Sequence, residues 1–288
     1  MALFDQHLIV DWSANNGPKL GKDSIWACLV GRDCSPIIEN HATRSQTMAW
    51  IRDVVDESIM MKKKLFIGFD FAFGYPDGTS RRLCGFPGWE GVWQILAGAV
   101  KDNKENESNR FEIAAAFNRE RFADIDGPFW GHPPHLLGVH RGLRPTRPEY
   151  TDLAEKRIVE ERVPSAQPTW KLAYPGSVGS QTLLGIKRLE FLRRRYAKKI
   201  AIWPFETEFS KKLRRPIVVA EVYPSLVEAK PLKGEVKDAA QVRVLAEYFS
   251  KLDAEDKFKP LLSAPAELTE EERQIVISEE GWIVGAPA

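Results

Sequence analysis

The chain has 288 residues, of which 43% are hydrophobic and 28% are charged, and its formal net charge is +1. This length and apolar content support one large core, or a core domain that carries a sizeable insertion. A nearly neutral chain does not favour a protein that coats nucleic acid through its overall charge, although a local basic groove is compatible with it.

Cysteine usage and the N-terminal segment predict a cytoplasmic protein. The three cysteines form no Cys-x-x-Cys pair, and a sparse, odd set is typical of a reducing compartment rather than of a disulfide framework. The first twelve residues contain no basic segment followed by a long apolar run, so we expect no signal peptide. No apolar stretch approaches the roughly 20 residues that a membrane-spanning helix needs, and we expect no membrane partner.

The first quarter of the chain predicts an antiparallel meander, a helix and a fourth strand. Turn-forming residues separate the apolar runs of the meander, which lie at 7–11, 24–30 and 36–42. We expect Ser45 to cap a helix whose apolar residues recur at helical spacing up to a lysine-rich end. The apolar run at 65–69 then predicts a buried strand that ends at Asp70.

The segment 77–179 shows no regular pattern and is rich in Gly, Pro, Trp, Arg and His. It contains two helix-like stretches, at about 89–101 and 110–121. A structureless loop of this length is uncommon in a compact domain. We therefore interpret the segment as a helical, loop-rich insertion into a discontinuous core that comprises residues 1–76 and 180–288.

The last third of the chain predicts alternating helices and strands. Its two amphipathic helices, two strands and one candidate edge strand lie at 182–199 and 237–252, at 200–203 and 217–222, and at 282–284. A meander followed by this alternation predicts an α/β fold, in which three antiparallel strands and further parallel strands form one mixed sheet flanked by helices.

Four acids occupy comparable places in this pattern. Asp11 ends the first strand, Asp70 ends the fourth, Glu221 lies in a late strand and Asp238 stands near the start of the last long helix. If the first and fourth strands are parallel neighbours, Asp11 and Asp70 emerge side by side where open α/β sheets bind ligands. Gathered carboxylates stay ionised at neutral pH only when cations neutralise them. The pattern therefore predicts a site for a hard divalent cation, Mg²⁺ or Mn²⁺.

Each acid also has a structural interpretation. Asp11 could cap a strand end, Asp70 could bond the backbone of the following bend, Glu221 could pair with an arginine, and Asp238 could be favoured by the helix dipole. For Glu221 and Asp238 taken singly, the structural interpretation is preferred. For Asp11 and Asp70 a functional role is preferred, because an acid directly after a buried strand carries a desolvation cost that needs a reason.

The segments GFDFAFGYP at 68–76, EVYPS at 221–225 and KDAAQ at 237–241, together with Asp11 in the first strand, resemble a bacterial and archaeal family of uncharacterised proteins that are usually described as predicted RNase H-like nucleases. The resemblance covers about residues 6–76 and 180–252. The family has a D-x-P-x-G-like bend, and its usual proline is replaced in this chain, where the run is Asp70-Phe71-Ala72-Phe73-Gly74.

The resemblance implies an RNase H-like fold and phosphodiester cleavage by a two-metal scheme. In that scheme Asp11 would bridge two ions, Asp70 and Asp238 would each hold one, and Glu221 would ligate an ion or orient a water. The four acids would thus be the catalytic residues, with Asp11, Asp70 and Asp238 as metal ligands.

A glycine- and serine-rich loop precedes the helix predicted at 182. Ser177, Gly179 and Ser180 could form an anion site, because backbone N–H groups meet the positive end of the helix dipole there. The loop could equally be a tight connection with Ser180 as helix cap. Lys22, in the first hairpin, could approach a phosphate that is bound at such a site.

Histidines and basic residues supply weaker signals. His132, His135 and His140 would need a fourth ligand to bind zinc, and we expect them to be structural or solvent-facing. Basic residues interleaved with aromatic ones suit single-stranded nucleic acid, but a solvated charged surface explains them as well; they lie at 141–150, 193–199 and 211–215.

Three functions are compatible with these features. The first is a Mg²⁺-dependent nuclease or related phosphodiester-cleaving enzyme, which requires Asp11, Asp70 and a third acid to converge. The second is a phosphotransferase or hydrolase of a small, nucleotide-like molecule on the same fold, with the insertion closing its pocket. The third is a non-catalytic binding module, which ion pairs between the acids and arginines would favour. The substrate would be nucleic acid or nucleotide-like, and the sequence leaves the oligomeric state open.

Overall fold

A computed structural model describes residues 2–32, 34–136, 138–210 and 212–287. The six strands of its sheet are β1 (Gln6–Asp11), β2 (Ile25–Gly31), β3 (Ile37–His41), β4 (Leu65–Phe69), β5 (Ile200–Ile202) and β6 (Ile217–Glu221). They lie in the order β3-β2-β1-β4-β6-β5. Strands β1, β2 and β3 form an antiparallel meander, whereas β4, β6 and β5 continue parallel to β1. The predicted mixed sheet of an α/β fold is confirmed.

The helices of the described residues are α1 (Arg44–Met60), α2 (Thr79–Cys84), α3 (Trp89–Ala99), α4 (Arg110–Glu120), α5 (Ile158–Arg162), α6 (Gly179–Arg195), α7 (Lys237–Ala254) and α8 (Glu270–Ile275). A π-helical turn, Val276–Glu280, continues α8. Within the described ranges, no helix has both the length and the apolar character that crossing a membrane requires.

Two predicted helix caps are wrong. Helix α1 begins after Thr43, whose hydroxyl accepts the N–H of Gln46 at 3.2 Å, while the Gln46 side chain accepts the N–H of Thr43 at 3.3 Å. This reciprocal capping box satisfies two amides at once, and it leaves Ser45 inside the first turn. Ser180 likewise lies inside the first turn of α6, where its hydroxyl donates to the carbonyl of Leu172 at 2.6 Å.

Alternating side chains of the strands build a hydrophobic cluster on each face of the sheet. The first cluster contains Leu8, Val10 and Phe69, which pack against α1, α3 and α6. The second cluster contains Ile9 and Phe66, which pack against α7. The buried stripes predicted for the two long helices are confirmed by Leu183, Ile186, Leu189 and Leu192 in α6 and by Val242, Leu245 and Phe249 in α7.

The segment 77–179 packs against the sheet through aromatic side chains. Trp93, Phe129 and Trp170 are buried in the same cluster as the first face of the sheet. The indole N–H of Trp93 also donates to the carbonyl of Phe73 at 2.7 Å, which joins α3 to the bend after β4. The boundaries of this segment as an insertion, 77–179, stay a prediction.

The bend after β4, residues 70–79, is held by acids from a segment about two hundred positions later. The N–H of Asp77 donates to Glu280 at 2.9 Å, and the N–H of Ser80, just beyond the bend, donates to Glu279 at 2.5 Å. The approach is so close that a Cβ at Gly74 would lie 2.1 Å from the carbonyl oxygen of Glu279. The candidate edge strand at 282–284 is a single parallel bridge between Ile283 and the end of β6.

Candidate functional site

The sheet places Asp11 beside Asp70. In the parallel pair β1–β4, Val10 lies opposite Phe69, and the N–H of Asp70 donates to the carbonyl of Val10 at 3.3 Å. The next residue of each strand is therefore an aspartate at the same level and on the same face, the face that α7 covers. The two carboxyl groups are close enough to hydrogen-bond to each other.

Burial and mutual repulsion change the acidity of this pair. Burial, and then the charge of Asp70, raise the pKa of Asp11 well above its usual value, and the charges of Asp238 and Asp23 raise it further. Burial also raises the pKa of Asp70 to about 6, although hydrogen bonds from Asp11 and from the backbone N–H of Trp12, at 2.7 Å, act in the opposite direction. The pair therefore holds a proton more readily than isolated aspartates do.

Asp11 lines a cleft with a volume of about 600 Å³, and two further acids line it as well. Asp238 lies in the first turn of α7, and its Oδ2 accepts the backbone N–H of Asp23 at 2.7 Å. Sequence reasoning missed Asp23. The available signal was its hairpin position, three residues before Trp26, which lies opposite Asp11 in the β1–β2 register.

The carboxyl groups at this site have little basic compensation in contact with them. The charges that act most strongly on Asp11 are all acidic, namely Asp70, Asp238 and Asp23. Among the described residues, no lysine or arginine nitrogen lies within 4.0 Å of the carboxylates of Asp11, Asp70 or Asp238, and Asp23 has only the half-exposed Lys19 at 3.6 Å. A cation from solution would relieve this concentration of negative charge.

Glu221 lies outside the cleft, and its predicted place beside the other acids must be corrected. In the β4–β6 register it is opposite Phe69 rather than Asp70, so strand alternation turns its side chain to the other face of the sheet. There Arg157 donates to both of its carboxylate oxygens, at 2.7 and 2.8 Å, and the N–H of Phe73 donates at 3.1 Å. For this residue the structure shows the arginine ion pair.

The loop before α6 contributes to the cleft only in part. Ser177 and Ser180 line it, whereas Gly179 and Lys22 do not. The N–H of Gly179 donates to the carbonyl of Lys171 at 2.9 Å, and a Cβ at this position would lie 2.7 Å from the same oxygen. Gly179 therefore serves close packing of the backbone, and Lys22 is exposed on the hairpin.

Arg110, the first residue of α4, is a cleft residue that sequence reasoning missed. Its Nε donates to Ser180 at 3.1 Å, and its Nη1 donates to Ser108 at 2.8 Å and to Asn16 at 3.4 Å. Its guanidinium carbon stands 4.6 Å from the centre of the Phe111 ring. Burial lowers the pKa of Arg110 to about 10. No motif in the segment 77–179 indicated that this arginine would line the cleft.

The sequence predicted metal ligands among the acids, and the histidines were considered as a zinc site. Within the described ranges, no group of three or more His, Cys, Asp or Glu side chains is arranged to hold a metal ion. The rings of His132 and His140 lie 5.6 Å apart beside Phe111. Of the predicted ligands, Asp11 and Asp70 are in contact, and Asp238 lines the same cleft as Asp11.

Most arginines in the predicted basic clusters bind carboxylates of the chain itself. The pairs are Arg193 and Arg194 with Glu190, Arg215 with Glu206, Arg144 with Asp126 and Arg147 with Glu155. Lys211 lies outside the described residues. These pairs agree with a solvated charged surface, so the nucleic-acid interpretation of the clusters gains nothing from them.

Three comparisons with known proteins complete the description of the site. Neither family models, nor curated proteins, nor solved structures gave a match to this chain. The geometry and charge of the cleft are therefore the basis for assigning its function.

Proposed function

We propose that the cleft binds Mg²⁺ or Mn²⁺ through Asp11 and Asp70 and hydrolyses phosphodiester bonds, on a fold of the RNase H-like class. The order of the sheet supports the fold assignment, because a three-stranded meander continues into parallel strands and the two acids follow paired residues of neighbouring strands. The resemblance of these segments to predicted RNase H-like nucleases supports it independently.

One observation carries the proposal, namely the contact between the carboxyl groups of Asp11 and Asp70. Two carboxylates at this separation do not both ionise near neutral pH without a neutralising cation. Mg²⁺ suits this arrangement because it is commonly bound by one or two carboxylates, with water and substrate phosphates completing its octahedral shell. A pair of acids is therefore a sufficient protein contribution, and a third ligand within the chain is not required.

The bound cation would supply Lewis acidity and a lowered pKa for water. Asp238 would then act on the attacking water, since one of its oxygens is engaged by the N–H of Asp23 and the other can accept a proton. Asp70 is oriented for cation binding by the N–H of Trp12, which fixes Oδ1 at 2.7 Å. Glu221 has no part in this scheme, because Arg157 occupies both of its oxygens.

A second candidate, hydrolysis or phosphoryl transfer on a small nucleotide-like molecule, is favoured by the size of the cleft. Its volume of about 600 Å³ lies within the roughly 300–1,000 Å³ that is common for small-molecule sites. The two candidates share the cation and the acids and differ in the length of the substrate.

Cleavage assays test both candidates. The protein is incubated in Mn²⁺ with labelled single-stranded DNA, single-stranded RNA and a small cyclic nucleotide, beside Asp11→Asn and the control Asp53→Asn, which alters an exposed acid of α1. We expect cleavage that requires the metal, is abolished by Asp11→Asn and is unchanged in the control. Metal-independent cleavage, or cleavage that survives in Asp11→Asn, would contradict the proposal, as would no cleavage of any substrate.

A further inference from the structure

Arg110 is a buried cation for which the chain provides no anion. Its side chain is only 9% exposed, and the bonds of Nε and Nη1 all go to neutral oxygens of Ser180, Ser108 and Asn16. Among the described residues, no carboxylate lies within 4.0 Å of its guanidinium group and none accepts a hydrogen bond from Nη2. A buried charge without a counter-ion is costly, so its retention needs a reason.

The surroundings of Arg110 carry an excess of positive charge. The charges that act most strongly on it are Arg44 and Asp102. The side chain of Asp102 is fully buried, and its carboxylate is shared between Arg44, at 2.7 Å, and Arg188, at 2.6 Å. Three guanidinium groups therefore surround one carboxylate. Because Arg44 and Arg188 already neutralise Asp102, that carboxylate does not balance the charge of Arg110. An anion entering beside Arg110 would therefore meet a favourable field.

Arg110 stands where two clefts meet. A second cleft of about 710 Å³ shares Arg110, Phe111 and Pro133 with the acidic cleft. Glu107 and Glu112 also line this second cleft, so its walls are not uniformly basic. An anion is therefore expected at Arg110 itself, where the guanidinium group is held in place by three neutral oxygens, rather than anywhere along the walls.

The anion site is distinct from the aspartate pair. Among the described residues, no nitrogen of Arg110 lies within 4.0 Å of the carboxylates of Asp11 and Asp70, and its hydrogen bonds go to Ser180, Ser108 and Asn16 instead. A phosphoryl group attacked at the aspartate pair would then be a different group from the one that Arg110 holds. A substrate that occupies both sites needs two anionic groups along its length.

We propose that Arg110 binds a second, non-scissile phosphate group of the substrate, so that the enzyme acts on molecules with at least two phosphates, as in an oligonucleotide strand. The guanidinium fork suits this role because it donates to phosphate oxygens in a fixed geometry. Ser108 and Asn16 orient it by accepting from Nη1, which leaves Nη2 for the phosphate. The role of Arg110 in the reaction rests on the proposed function, whereas the anion site itself does not depend on it.

Binding of inorganic phosphate tests the anion site without any cleavage. Thermal unfolding is followed in EDTA against increasing phosphate, with chloride at equal ionic strength as reference, for the native chain, Arg110→Gln and the control Arg119→Gln, an exposed arginine of the same helix. We expect saturable stabilisation of the native chain and of Arg119→Gln, and at least a tenfold weaker affinity in Arg110→Gln. Equal phosphate binding by all three proteins would overturn the proposal, and so would its absence in the native chain.

A second pair of variants covers the case in which Arg110→Gln does not fold. Ser108→Ala and Asn16→Ala each remove an oxygen that orients the guanidinium group and leave the charge in place. We expect each to weaken phosphate binding several-fold. Unchanged affinity in both variants would contradict the orienting role assigned to these side chains.

Substrate length tests the second phosphate. KM is compared for a dinucleotide with one phosphodiester and for a trinucleotide with two, and also for a dinucleotide with a terminal phosphate, which separates a polymer strand from a small diphosphorylated molecule. We expect a lower KM for both doubly phosphorylated substrates in the native enzyme, and loss of that preference in Arg110→Gln. Equal KM values in the native enzyme would overturn the proposal while leaving the proposed phosphodiester cleavage intact.

Discussion

Asp11 and Asp70 follow a pair of residues, Val10 and Phe69, that lie opposite each other in neighbouring parallel strands, and their carboxyl groups meet on the same face of the sheet. The strand register fixes the backbone positions of the two acids, and the N–H of Trp12 holds one oxygen of Asp70. Without a cation, the folded chain must either hold a proton between them or bear their repulsion. Several measurable consequences depend on this relationship.

Removing one of the two charges should stabilise the metal-free protein at high pH. The pKa values of both acids are raised by folding, so the folded state binds more protons. The stability associated with the pair is complete below about pH 4 and is lost as the pH rises through the raised pKa values, of which that of Asp70 is about 6. We expect Asp11→Asn in EDTA at pH 8 to be more stable by about 1–3 kcal/mol, and this gain to shrink at pH 5. Urea denaturation measures both values, and a variant that is no more stable than the native chain at pH 8 would contradict the assignment.

Divalent cations should reverse that order of stability. If Mg²⁺ or Mn²⁺ binds the folded arrangement of the two acids as proposed, and not the unfolded chain, a concentration of 100 times Kd adds about 2.7 kcal/mol to the stability of the native chain. The increase in Tm should be larger at pH 8 than at pH 5, because the cation must displace the proton that the pair holds. Asp11→Asn should lose the increase and Asp53→Asn should keep it. A Tm of the native chain that changes with neither metal would contradict the proposed cation site.

Arg157 is predicted to matter for stability rather than for chemistry. It lies buried between Glu221 and Glu160, so Arg157→Met would leave two carboxylates without their partner at a cost of about 3–5 kcal/mol. Urea denaturation measures this loss.

Glu221→Gln separates the two roles of that acid. We expect it to destabilise the fold by about 1–3 kcal/mol, because it weakens a buried hydrogen-bonded ion pair, and to keep the metal-induced rise in Tm. Loss of that rise in a folded Glu221→Gln protein would mean that this glutamate reaches the cation after all.

Replacing each of two helical glycines with alanine should change the stability of the protein in opposite directions. A Cβ at Gly185 in α6 would lie 2.3 Å from the ring of Phe71, which in turn packs against Trp12 in the wall of the cleft. Overpacking of this kind costs about 1–3 kcal/mol. At Gly98 in α3 a Cβ meets nothing within 4 Å, so alanine should stabilise the helix by about 0.5–1 kcal/mol. Denaturation midpoints of the two variants check the contrast.

The contact of Asp11 with Asp70 was predictable because the signal is local. Each acid directly follows a short apolar run, and two parallel strands with acids at their carboxyl ends bring those acids to one edge of the sheet. Glu221 looked equivalent by the same rule. Its exclusion depends on a register shifted by one residue, which moves a side chain to the other face of the sheet, and that shift cannot be derived from composition or periodicity.

Asp23 and Arg110 were not predictable, because their place in the cleft depends on contacts between distant segments. Asp23 reaches the acids through a hairpin turn whose geometry its residues do not specify uniquely, and it meets Asp238 across more than two hundred positions. Arg110 arrives from the segment 77–179, whose path over the sheet follows from aromatic packing. The capping error at Ser45 has a simpler reason, since Thr43 offers the same capping chemistry two residues earlier.

The tether between the bend after β4 and the acids Glu279 and Glu280 sets the order in which the protein can mature during translation. A ribosome delivers Asp70 long before it delivers the two glutamates that accept the backbone amides of Asp77 and Ser80. Until then the nascent polypeptide can pair its early strands, but the bend after Asp70 lacks the two carboxylates that accept its backbone N–H groups. If the aspartate pair binds a cation as proposed, the ability to bind it would be complete only late in biosynthesis.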